Sequence, residues 1–162
     1  MLIYTVGHST RTQEALMGLL KSYGVRAVID IRAIPYSRHN PQFNREEMQR
    51  AYATSGIRYQ HVESLGGKRP PKEVMERARS CSERSRGFAE YMRTATFQEG
   101  IQQVMGMANT EQIALMCAEA DPTHCHRFWV ADALVERGVQ VRHIINENES
   151  RIHPANLFTA WE

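Results

Sequence analysis

The sequence predicts an α/β protein, a three-layer sandwich with helices on both faces of a mainly parallel, Rossmann-like sheet of about five strands. Three observations carry this reading. Short apolar, β-branched runs recur along the chain. Segments with apolar residues at helical spacing separate them, which implies right-handed crossovers and parallel pairing. Polar and reactive residues gather directly after the runs, at the strand ends where open parallel sheets bind ligands.

The first run, Leu2 to Val6, is halted by Gly7 and reads as a buried strand with Gly7-His8-Ser9-Thr10 at its carboxyl end. Thr12 then caps a helix on which Ala15, Leu16, Leu19, Leu20 and Tyr23 recur, and Gly24 stops it. Arg26 to Ile31 is the second strand. It delivers Asp30 and Arg32 to a proline-punctuated loop ending at Pro41, and loops of that length often carry function. Asn44 with Glu47 forms a capping-box-like start for a helix bearing Met48, Ala51 and Tyr52. Ile57 to Val62 is a third, alternating strand, and alternation places it nearer an edge.

Paired glycines and paired prolines between Leu65 and Pro71 end regular structure and predict an exposed loop. A basic helix follows from Lys72 to Arg86. Phe88, Tyr91 and Met92, then Phe97, Ile101, Val104 and Met105, predict two short helices broken near Thr94. Gln112 to Cys117 is the fourth strand and Val139 to Ile145 the fifth. Phe128, Ala131, Leu134 and Val135 make the helix face between them. The tail from Asn146 has no clear period, and no repeat or linker splits the chain, so 1–162 reads as one domain.

At 162 residues, 42% hydrophobic and 23% charged, the composition is that of an ordinary globular domain able to build a core without disulfide staples. A net charge of +2 is too small for a dedicated duplex-binding module and suits an anionic small ligand as well. The three cysteines are an odd number without a secretory pattern before them, so a reducing cytoplasm is expected. No apolar run is long enough to cross a bilayer, and no membrane partner is expected.

Met116 to Arg127 is the densest reactive stretch. Asp121-Pro122 resembles an N-cap followed by proline in the first turn, which would leave amides near Thr123, His124 and Cys125 open to an anion. Arg127, with Arg32 and Arg38, would complete a phosphate or carboxylate pocket; a capped helix with surface arginines is the plainer reading. Cys125, between His124 and His126, sits where a helix dipole and imidazoles favour a thiolate nucleophile. Cys117, at the end of an apolar strand, fits a packing role instead. Asp30 and Glu119 would serve as acid and base if their strands lie close together, or as ion-pair partners that orient the arginines. His143 reads as a core histidine and His61 as either core or site. Cys117, Cys125 and the histidines, including His8, also admit a metal, although no paired structural-zinc spacing is present.

Gly7-His8-Ser9-Thr10, Asp30-Ile31-Arg32 with Pro35 and Ser37-Arg38, Tyr59 and His61, Leu65-Gly66-Gly67, Cys117-Ala118-Glu119 through Cys125-His126-Arg127, and His143-Ile144 together resemble the domain of unknown function 488 family. The resemblance implies a small cytoplasmic α/β protein. His8, Ser9, Asp30, Arg32, Pro35, Ser37, Arg38, Cys117, Glu119, Cys125, His126 and Arg127 match its motif positions. It brings no reaction with it and names no cofactor.

Taken together, these readings favour an enzyme acting on a phosphorylated or nucleotide-like anion. Cys125, Asp30, Glu119 and His8 are its candidate catalytic residues. Ser9, Arg32, Ser37, Arg38, His126 and Arg127 are its candidate ligand-binding residues. The alternatives are a non-catalytic nucleic-acid or nucleotide-binding module working through the cationic rim from Lys68 to Arg86, and a Cys/His metal site.

Overall fold

The computed structural model describes residues 1–66, 88–122 and 126–154. The apolar runs become β1 (Leu2–Gly7), β2 (Ala27–Asp30), β3 (Arg58–His61), β4 (Ile113–Cys117) and β5 (Gln140–Asn146), all paired in parallel. A sixth strand, β6 (Glu149–Ile152), pairs antiparallel with β5 and completes the order β3-β2-β4-β1-β5-β6. The sheet therefore has six strands, one more than the sequence pattern predicts. The sequence hides β6 because Glu149-Ser-Arg-Ile is an edge strand with little burial and no apolar alternation. Its hairpin turn is held by Asn146, whose Oδ1 accepts from Asn148 N at 2.8 Å.

Connecting these strands are α1 (Gln13–Ser22), α2 (Arg45–Tyr52), α3 (Ala95–Ala108) and α4 (Arg127–Glu136), besides a shorter helical stretch at 88–92. Thr12 caps α1 through Ala15 N at 3.0 Å. Thr94 caps α3 through Phe97 N at 3.3 Å, after a separate helical stretch at 88–92, as the broken periodicity predicts. The capping box at Asn44 does not form. Asn44 Oδ1 instead accepts from Ser37 N at 2.7 Å, and Glu47 turns to Arg50. The side chain that would have capped α2 is spent on tethering the preceding loop.

Alternation along the buried strands splits the core in two. Val6, Val28, Ala114 and Met116 pack with Leu16, Leu19 and Leu20 of α1 and Met48 and Tyr52 of α2. Ile3, Ile29 and Leu115 pack with Phe97, Ile101 and Val104 of α3 and Val130 and Leu134 of α4. Burying these side chains is the main stabilising term, at about 1.5–3 kcal/mol each.

The strand order sets the site. The chain leaves β1, lays down β2 and β3 on one side, and returns to insert β4 between β2 and β1 before crossing to β5. The loops after β1 and β4 thus leave neighbouring strands towards opposite sides, the condition for a crevice at a topological switch point.

Candidate functional site

The loops after β1 and β4 are joined beyond the ends of their strands. His8 N donates to Cys117 O and Ser9 N to Ala118 O, both at 2.9 Å. A Cβ on Gly7 would fall 1.8 Å from Glu119 O, so only glycine permits this approach. Ser9 takes φ 48°, a left-handed conformation that costs a non-glycine residue about 1 kcal/mol or more. Arg11 ties the same corner to β5, donating to Gly7 O at 3.3 Å and Ile145 O at 3.0 Å.

A buried polar chain crosses the strand ends from β3 to β1. Asp30, fully buried, accepts on Oδ1 from Arg32 N at 3.1 Å and Arg32 Nε at 2.9 Å. Its Oδ2 accepts from a terminal nitrogen of Arg32 at 2.7 Å and from the Tyr59 hydroxyl at 2.5 Å. The same Arg32 nitrogen donates to Phe43 O at 2.6 Å, while the other lies 3.4 Å from His8 Nε2. His8 Nδ1 is 2.9 Å from Ser9 O. A carbonyl only accepts, so Nδ1 carries the hydrogen and Nε2 presents its lone pair to Arg32. The His8 ring stacks on Phe43, with centroids 4.3 Å apart. Burial and then the Asp30 carboxylate push the Tyr59 phenol above its ordinary value, which keeps it protonated as a donor. Burial alone would lower the Arg32 guanidinium, but Asp30 outweighs it and the net direction is upward.

Two imidazoles fasten the end of β2. His126 Nε2 donates to Ile31 O at 2.8 Å and His61 Nε2 to Arg32 O at 2.6 Å. Close by, a Cβ on Gly66 would meet the Ala33 backbone at 2.4 Å. Arg127 is fully buried at the start of α4, donating to Ala120 O at 3.0 Å. The loop from β2 is braced rather than loose. Besides the Ser37–Asn44 bond, Arg45 N donates to Pro35 O at 2.9 Å and Asn40 N to Ser37 Oγ at 3.0 Å. From this brace Ile34, Tyr36, Arg38 and His39 stand exposed.

Of the residues that the sequence nominates, His8, Asp30 and Arg32 share one hydrogen-bonded network, with Ser9 supplying a backbone acceptor to it. His126 joins through the β2 backbone. Glu119 is exposed, and no hydrogen bond or ion pair links its side chain to Asp30 among the described residues. Ser37 is a loop brace and Arg38 faces solvent. Cys117 is buried in the core, its thiol 3.9 Å from Glu119 O. The helix α4 begins at Arg127, and the helix start expected directly after Asp121-Pro122 falls on residues outside the described ones. Thr123, His124 and Cys125 lie outside the described residues, as do Cys81 and the basic stretch from Lys68 to Arg86. Among the described residues no group of three His, Cys, Asp or Glu is placed to hold a metal. Sequence reasoning does not nominate Phe43 or Tyr59 for the site. Tyr59 had a usable signal, because it shares one face of β3 with His61, opposite the end of β2.

A family model described as Domain of unknown function DUF488 matches residues 12–134. That span includes Asp30, Arg32, Ser37, Arg38, Glu119, Cys125, His126 and Arg127, and leaves Gly7 to Ser9 and His143 outside. No curated protein and no solved structure matches the chain.

Proposed function

The chain belongs to the DUF488 family, and from that premise we propose that it is a cytoplasmic enzyme acting on a phosphorylated or nucleotide-like anion at the carboxyl-terminal edge of its sheet. The observation that carries this reading is the buried chain Tyr59–Asp30–Arg32–His8 at a topological switch point. Burying an ion pair brings little stability over an apolar core of the same shape, so its position at the strand ends favours a role in binding or chemistry. The fold around it is a three-layer sandwich, a description supported by the two core clusters on alternate strand residues.

The geometry divides the roles. Asp30 has both oxygens engaged by Arg32 and Tyr59, which suits an orienting anchor better than a proton carrier. We assign proton transfer to the solvent-facing Glu119, with Cys125 as the nucleophile, and give His8, whose Nδ1 meets Ser9 O and whose Nε2 faces Arg32, the part of orienting Arg32. Arg38, exposed on the braced loop, and Arg127 supply charge for the anion, and His126 and Ser9 line the approach.

Calorimetric titration with inorganic phosphate and nucleoside monophosphates tests binding. The expected result is uptake that falls with added salt and weakens roughly tenfold in Arg38→Ala, the effect of losing one charge-assisted contact. No uptake at millimolar ligand would sink the reading. Alkylation rates read by mass spectrometry test the nucleophile, which fails if Cys125 reacts no faster than Cys81 at neutral pH. A second reading, a non-catalytic nucleic-acid module, is favoured by exposed Tyr36 two residues from exposed Arg38, an aromatic ring and a cation on one loop. It is supported if single-stranded oligonucleotides bind and the binding survives His8→Gln and Cys125→Ser.

A further inference from the structure

A second buried polar chain lies away from this site. Thr5 Oγ1 is 2.5 Å from His143 Nδ1, His143 Nε2 is 2.9 Å from His153 Nδ1, and His153 Nε2 is 2.5 Å from Asp132 Oδ1. These residues come from β1, β5, the segment after β6, and α4. Thr5, His143 and His153 are buried, and Asp132, with its side chain 17% exposed, is the outlet to solvent. Phe128 covers both rings, with centroids 6.3 Å from His143 and 4.5 Å from His153.

Hydrogen-bond polarity fixes the protons. With Asp132 ionised and accepting, a neutral His153 carries its hydrogen on Nε2 and accepts at Nδ1. His143 must then carry its hydrogen on Nε2 and accept at Nδ1 from the Thr5 hydroxyl. One proton added from solvent can charge His153, charge His143 or neutralise Asp132 with every contact still filled, and the carboxylate beside His153 favours the first. His153 becomes an imidazolium between Asp132 and His143, and its Nδ1–H now donates to His143 Nε2. The one hydrogen of His143 moves to Nδ1 and donates to Thr5 Oγ1, and the hydroxyl hydrogen turns away. Both states fill every contact between the four groups; the His153–His143 and His143–Thr5 bonds reverse direction, while His153 Nε2 donates to Asp132 in each.

We propose that Thr5, His143, His153 and Asp132 form a proton-operated switch, in which uptake of one proton charges His153 and reverses the tautomer of His143. The surrounding charges favour this division. Arg127 of α4 acts on His143 and disfavours a cation there, while Asp132 of the same helix faces His153 and favours one. Arg151, opposite His143 in the β5–β6 register, is turned to Glu149 at 3.2 Å. Burial, then His153 and Arg127, push His143 down to about 3. The charged state tightens the tie between the end of β6 and α4, the helix that begins with Arg127, and changes the bond made to β1 two residues before Gly7.

Long-range proton–nitrogen correlation spectra of the full chain, recorded across the range where imidazoles titrate, about pH 5 to 8, test this. The expected result is two Nε2–H rings at the alkaline end. On acidification His153 becomes an imidazolium while His143 changes to the Nδ1–H tautomer without charging. Asp132→Asn should move that switch to lower pH. The proposal is overturned if His143 keeps one tautomer while His153 titrates, if His143 charges first, or if neither ring changes. The wild-type spectra decide the matter even if the variant does not fold.

Discussion

Arg32 and Asp30 form a buried ion pair in which Nε reaches one carboxylate oxygen at 2.9 Å and a terminal nitrogen reaches the other at 2.7 Å. With Arg32 6% and Asp30 0% exposed, neither group has water to fall back on. Removing one partner strands the other's charge, so Asp30→Leu and Arg32→Met should each cost about 3–5 kcal/mol. The double variant should cost less than the sum, because no charge is left unpaired. Urea denaturation of the three proteins checks this, and additive costs would mean that the pair is not coupled.

Gly7 should tolerate no side chain. The added Cβ of Gly7→Ala would collide with Glu119 O, which belongs to the backbone and cannot rotate away, and the loss should be about 3 kcal/mol or more. Gly18, inside α1 with nothing within 4 Å of an added Cβ, is the control. Gly18→Ala should stabilise by about 0.5–1 kcal/mol through helix propensity alone. Thermal melts of the two variants should therefore move in opposite directions.

Tyr52 carries a buried hydroxyl with no hydrogen-bond partner among the described residues, and burial pushes its phenol well above the ordinary value. An unmet polar group costs about 1–3 kcal/mol, while the ring packs in the cluster beneath α1 and α2. Tyr52→Phe keeps the ring and should raise stability by about 1 kcal/mol. Equilibrium denaturation checks the sign, and a loss would mean that the hydroxyl is satisfied in solution.

How far the fold was legible depended on whether a residue's signal was local. Val28-Ile-Asp and Ala114-Leu-Met are buried on both faces and read as strands from hydrophobicity alone. Thr12 and Thr94 sit where a hydroxyl before an amphipathic run must cap. Asn44 met the same local rule and failed it. The amide of Ser37, on the adjoining loop, takes the Asn44 side-chain oxygen at 2.7 Å, and a competing donor that the loop brings back from outside the helix leaves no mark in the capping pattern. In the site, His8, Asp30 and Arg32 were legible because all three lie at the ends of buried runs. Phe43 was not, since its part is played by a backbone carbonyl and a stacked ring, and neither leaves a mark in sequence.

Stability should also depend on pH through His143. Burial, then His153 and Arg127, hold it down to about 3, against an ordinary value of 6.5 in the unfolded chain. The unfolded state therefore binds more protons between these values, and stability rises with pH across the window. The contribution is complete above about pH 6.5 and is lost as pH falls towards 3. A displacement of this size corresponds to a few kcal/mol at most, shared with every carboxylate that titrates in the same interval. His143→Gln removes the titrating group while keeping an amide able to bond Thr5. It should flatten the dependence between about pH 6.5 and 4.5, where carboxylates contribute least, even if it lowers stability at neutral pH. Urea denaturation midpoints of both proteins measured through that interval check the slope, and parallel curves would show that His143 is already charged in the folded state.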